Sequence, residues 1–207
     1  MSASAPLPPL PPVPGVYRPA GPSIVDLLYD EHRRLDELCA RLERGDGDSD
    51  YQARVLDVLV ASLARHLSAE EQYLHPTVRA VLADGDRLAD RELVEDVEIQ
   101  RAAARLDVIR PDAPRFGAVL TEFAVRVREH VRRLDRYLLP RLADVLDEED
   151  LVRLGNRLTI AEEAAPTRPH PATPTTPPWN KIVDPGVAVV DKVRDALAGR
   201  TTRPEDL

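Results

Sequence analysis

Residues 64–76 read ARHLSAEEQYLHP, and residues 128–140 read REHVRRLDRYLLP. Aligned without gaps at an offset of 64, the two stretches share a histidine (His66, His130), a Tyr-Leu pair (Tyr73-Leu74, Tyr137-Leu138) and a proline (Pro76, Pro140). The match extends outward. Glu31 falls on Glu95, Ala40-Arg41-Leu42 on Ala104-Arg105-Leu106, Val55-Leu56 on Val119-Leu120, and Val81-Leu82 on Val145-Leu146. Self-similarity at a fixed offset marks a repeated supersecondary unit.

Apolar spacings of three and four residues identify the unit as helical. A first helix starts at the N-cap Ser23 and runs to about Glu43, with the stripe Ile24, Leu28, His32, Leu35, Cys39, Leu42. A second covers about 50–82, with Val55, Leu59, Leu63, His66, Glu70, Tyr73, Thr77, Val81. A third covers about 86–108, with Glu92, Asp96, Ile99, Ala103, Leu106. The fourth covers about 115–145, with Val119, Phe123, Val127, His130, Leu134, Tyr137; it then continues one residue over, through Leu138 and Leu142. A short fifth helix is expected over 147–164 and a last one over 187–198. The expected fold is all-α: an up-down-up-down four-helix bundle of two repeated helical hairpins.

Proline sets the boundaries. Of 20 prolines, eight lie in residues 1–22 and eight after residue 165. Proline removes a backbone donor and clashes with the preceding turn, so the middle of the chain is the helical part. The expected organisation is a proline-rich arm (1–22), a bundle with its fifth helix (23–165), and a proline-rich linker with a C-terminal helix (166–207).

The formal net charge of -8, with no long basic stretch, argues against nucleic acid and anionic membranes as partners. No run of 18 apolar residues is present and the N-terminus lacks a signal-peptide pattern, so a cytoplasmic location is expected. Cys39 is the sole cysteine and reads as a buried thiol. The proline-rich tails offer a route to a protein partner.

The repeat also aligns the polar residues of the stripes. His32 precedes His66 by 34 residues, and its repeat mate Asp96 precedes His130 by 34. At the rise of an α-helix, His32 and His66 lie about 17 and 24 Å from their shared loop, near one level. The same holds for Asp96 and His130. Glu70 stands one turn from His66 on the same face. Burying such groups is costly unless a cation or hydrogen bonds compensate them. Imidazole with carboxylate suits iron, zinc or manganese better than magnesium or calcium. Asp135 lies about 140° around the helix from His130, at the edge of the stripe. Tyr73 and Tyr137 are expected in the core with hydrogen-bonded hydroxyls. Glu71 is expected at the surface or behind a ligand. His75, nine residues past His66, falls on the opposite face, and His170 sits in the linker; neither is expected to bind metal.

His32, His66-x-x-x-Glu70 and His130, with DEHRRL at 30–35, EEQYLHP at 70–76 and YLLP at 137–140, resemble the hemerythrin-like HHE domain over roughly residues 23–165. Residues 175–178 and 184–200 resemble the tails of actinobacterial members. The resemblance implies a bundle binding two irons bridged by carboxylates, in proteins that carry or sense dioxygen, handle iron, respond to nitric oxide or decompose peroxide. The chain departs from that pattern at Asp96, where the third helix of the family offers histidine, and at Leu134, where the fourth often offers glutamate. Some members use His-x-x-x-x-Asp instead, a spacing that His130 and Asp135 satisfy. The expected ligand set is therefore His32, His66, Glu70 and His130, with Asp96 and Asp135 deciding whether one iron or two are held. The expected function is an iron protein that binds or senses dioxygen or nitric oxide, or handles iron. The alternatives are a non-haem iron oxidoreductase that decomposes peroxide and a metal-free bundle kept for protein interaction.

Overall fold

The computed structural model describes residues 18–170 and, within 188–207, all but 189, 193 and 197. Most of the proline-rich arm, the run 171–187, and Val189, Val193 and Leu197 of the expected last helix lie outside the described residues.

The expected helices form, with ends within a residue or two. They are α1 (Ile24–Arg44), α2 (Ser49–Ala69), α3 (His75–Val81), α4 (Gly85–Asp107), α5 (Phe116–Arg133), α6 (Leu139–Val145) and α7 (Glu148–Ala164). Side-chain oxygens of Ser23, Asp48 and Asp147 accept from the backbone N–H groups of Asp26, Tyr51 and Asp150, starting α1, α2 and α7. Each offsets one unsatisfied donor of the first turn. Gly45, at φ 69°, closes α1 in the left-handed conformation that a glycine adopts at no steric cost.

The long second and fourth helices are each interrupted by a π turn, at Glu70–Leu74 and Leu134–Leu138. Within each turn a backbone N–H reaches back five residues, from His75 to Glu70 O and from Leu139 to Leu134 O. The two turns lie 64 residues apart, at one place in the repeat. A π turn holds one residue more than an α turn, so every later side chain lags by about 100°. The buried stripe of the second helix therefore passes from Val55, Leu59, Leu63, His66 and Glu70 to Leu74, Val78 and Leu82, one place beyond the expected Tyr73, Thr77 and Val81. In the fourth helix it passes to Leu138 and Leu142. Tyr137, expected in the core, is 74% exposed for the same reason.

The helices surround two apolar clusters. One contains Leu35, Leu59, Leu63, Ile99, Leu106, Phe123 and Val127; the other contains Ile24, Leu28, Leu74, Val78, Leu134 and Leu142. Between them lies a layer of buried polar groups: His32, His66, Glu70, Glu92, Asp96 and His130. Helix α7 packs along α1 and α2. Its Gly155 meets the entry of α1, where an added Cβ would lie 2.4 Å from Pro22 O and 3.0 Å from Ile24 N. Gly155→Ala is expected to destabilise the fold by about 1–3 kcal/mol through overpacking. Thermal denaturation checks this against Gly117→Ala, whose added Cβ meets nothing within 4 Å and which should be neutral or stabilising.

Candidate metal centre

His32 comes from α1, His66 from α2, Glu70 from the first π turn and His130 from α5. All four are buried, and one donor atom from each lies within 4.8 Å of those of the others. The three rings stand edge to face, with centroids 5.1 Å (His32–His66), 5.8 Å (His66–His130) and 6.2 Å (His32–His130) apart. Glu70 bridges two of them: its Oε1 lies 3.4 Å from His66 Nε2, and its Oε2 lies 3.3 Å from His130 Nε2.

None of these inward atoms has a hydrogen-bond partner. His32 Nε2, His66 Nε2, both nitrogens of His130 and both oxygens of Glu70 are buried and make no hydrogen bond among the described residues. Orphaned buried polar atoms are rare because each retains its desolvation cost. Donors bound at about 2.0–2.2 Å around one ion, at tetrahedral or octahedral angles, stand about 2.9–3.5 Å apart. The spacings about Glu70 fall in that range, so the residues present fit a metal ion.

The outer nitrogens of two rings are held from behind. His32 Nδ1 lies 2.5 Å from Asp135 Oδ1, and His66 Nδ1 lies 2.8 Å from Glu31 Oε2. With Nδ1–H donating to a carboxylate, Nε2 carries the lone pair that faces inward. Burial lowers the pKa of both rings, which favours the neutral, coordinating form. At His130 burial acts in the same sense, but the carboxylates of Glu70, Asp96 and Glu92 outweigh it and lift the ring to about 9. Burial alone would raise the Glu70 carboxyl; His66 and His130 overcome it and hold the group well below the ordinary carboxylate range.

The expected site residues thus separate. His32, His66, Glu70 and His130 converge. Asp96 is fully buried, 3.6 Å from His130 Nδ1, and is not a solvated surface group. Asp135 reaches inward from the second π turn to His32. Leu134 packs in the second apolar cluster. Glu71, expected at the surface or behind a ligand, is buried, with Gln100 Nε2 donating to its Oε1 at 3.3 Å.

Several functional neighbours escape the periodicity. His75, expected to face outward, is buried, and its Nε2 lies 2.8 Å from Asp96 Oδ2. The π turn moves it by about 100°, from opposite His66 to within about 40° of Glu70. Glu31 and Glu162 close the His66 side; burial lifts Glu31 to about 7, and burial with the nearby Glu31 lifts Glu162 to about 8. With Ser62, Arg65 and His66 they line a cavity of about 120 Å³. Cys39 is buried away from the centre, as expected, and burial pushes its thiol up to about 12.

A four-helix bundle with carboxylate and imidazole donors converging between two apolar layers defines a metal-binding bundle protein. The chain matches the hemerythrin HHE cation-binding domain over residues 23–142 and belongs to that family. It is 23% identical over 175 residues to a hemerythrin-like protein of Schizosaccharomyces pombe, covering 84% of this chain and 86% of that one. It is 27% identical over 141 residues to a DNA nickase of Nostoc, covering 68% of this chain and 39% of the nickase. No solved structure matches the chain. The family binds metal ions, typically iron. No helix among the described residues is long and apolar enough to cross a membrane.

Proposed function

We propose that this protein binds iron through His32, His66, Glu70 and His130 and uses it to bind a small ligand such as dioxygen or nitric oxide. The observation that carries the reading is the convergence of these four buried side chains, whose inward atoms have no hydrogen-bond partner. Three imidazoles and one carboxylate suit iron. Bound iron supplies a coordination position at which a diatomic ligand can be held. The chain's own part is to fix the donors, exclude bulk water through the two apolar layers, and offer a cavity of about 120 Å³ beside His66. Elemental analysis of the full chain, expressed with iron and purified without a histidine tag, tests the proposal. At least one iron per chain is expected; none after anaerobic reconstitution with ferrous iron would overturn it.

Asp135 is assigned to orient His32 from behind, on the strength of its contact at Nδ1. Asp135→Asn is therefore expected to weaken metal binding by about 10–100-fold while leaving the stoichiometry at saturation unchanged. Competition against a chromophoric chelator measures the affinity. A lower stoichiometry at saturation would make Asp135 itself a ligand.

A further inference from the structure

We propose that Glu70, His75 and Asp96 form a second cation seat beside the first, so that His75 and Asp96 take the place of the histidine absent from the third helix. The proposal rests on the metal reading of the first seat. One donor atom from each of the three residues lies within 4.8 Å of the others, and all three side chains are at most 2% exposed. His75 and Asp96 do hydrogen-bond each other, through Nε2 and Oδ2 at 2.8 Å. That contact satisfies only half of each group. His75 Nδ1, Asp96 Oδ1 and both oxygens of Glu70 remain buried without a hydrogen-bond partner. A pair serving the fold alone would retain the desolvation cost of His75 Nδ1 and leave Glu70 Oε2 and Asp96 Oδ1 with His130 as their cation, at 3.3 and 3.6 Å and without a hydrogen bond. A cation shared with Glu70 offsets it, and imidazole with two carboxylates suits a first-row divalent metal such as ferrous iron.

The repeat provides an independent argument. Position 75 corresponds to position 139 and position 70 to position 134, and the second half carries Leu139 and Leu134 there, both fully buried. Leucine therefore fills these positions of the hairpin without difficulty, and the fold does not require polar groups in them. Only the first half has Glu70 and His75, and only there does the facing helix α4 present a buried aspartate. The polar residues are gathered on one side of the bundle, where a second ion adjoins the first through Glu70.

The full chain, reconstituted anaerobically with ferrous iron and desalted, is assayed for iron per chain alongside His75→Leu and Asp96→Asn. His75→Leu installs the residue that the other half carries; Asp96→Asn keeps volume and removes charge. Two irons in the wild type and one in each of these two variants, with helical content intact, is the expected result. One iron in the wild type, or two in either variant, overturns the second seat and leaves the first standing. Loss of both ions in His75→Leu with helical content intact also overturns it, because the pair then serves the first seat. No iron in the wild type overturns the proposed function itself. If His75→Leu loses helical content, Asp96→Asn decides by the same counts.

Discussion

Replacing His66 with alanine is expected to remove the metal of the first seat and, with it, that seat's share of the thermal stabilisation that iron brings. A ligand bound only to the folded state adds RT ln(1 + [L]/Kd), about 2.7 kcal/mol at a hundredfold excess over Kd. For a chain of this size that corresponds to about 5–10 °C in Tm. His66 is the sensitive position because it stands between two carboxylates, Glu31 at Nδ1 and Glu70 at Nε2. Differential scanning calorimetry of wild type and variant, each with and without ferrous iron, measures the effect. The variant should gain less in Tm from iron than the wild type does, by about 5–10 °C. An equal gain in wild type and variant would mean that the remaining donors suffice and that His66 is not a ligand.

Arg200→Ala is expected to detach the C-terminal segment. The Arg200 guanidinium is 4% exposed, with Nε 2.8 Å from Asp57 Oδ1 in α2, Nη2 2.6 Å from Asp107 Oδ1 at the end of α4, and Nη1 3.7 Å from Asp195 Oδ1. Removing one partner of a buried charge network leaves the others uncompensated, typically at about 3–5 kcal/mol. Here three carboxylates lose their shared cation, and Arg168 remains beside Asp107 and Asp195 only. The chain can relieve the cost by releasing the tail, so the loss in global stability is bounded by the docking energy of that segment. Limited proteolysis within 188–207 should become fast in Arg200→Ala. Arg200→Lys should be intermediate, since a lysine keeps the charge but not the fork. An unchanged cleavage pattern would show that the segment is held by other contacts, such as Arg65 donating to Thr202 O.

The bundle and the first seat are legible in the sequence because both depend on α-helical periodicity and on the repeat. His32, His66, Glu70 and His130 all lie before or at the start of a π turn, where counting by 3.6 still holds. Beyond Glu70 and Leu134 the count fails by one residue and puts His75 and Tyr137 on the wrong faces. A signal was present in the fourth helix. Its apolar row steps from Leu134 to Leu138 and Leu142, as an inserted residue requires. In the second helix Tyr73, Thr77 and Val81 continue the unshifted row plausibly enough to conceal the same step. The repeat could have carried it across. Glu31 was legible only as a repeat mate of Glu95, because its role depends on the rotation of α1 against α2. Docking of the last segment rests largely on Arg200 with Asp57 and Asp107, which lie far apart in the chain and share no pattern.

The paired π turns also bear on ancestry. An inserted residue inside a helix turns everything after it, so two independent insertions at matching positions of the halves, 64 residues apart, would be a considerable coincidence. Both hairpins thus carry the same extra residue at the same place, and the two halves keep one register throughout. One hairpin alone would expose its apolar stripe, so each half serves as the cover of the other. Glu70 against Leu134 and His75 against Leu139 mark where the halves differ within that shared register, and the polar centre is one-sided for that reason.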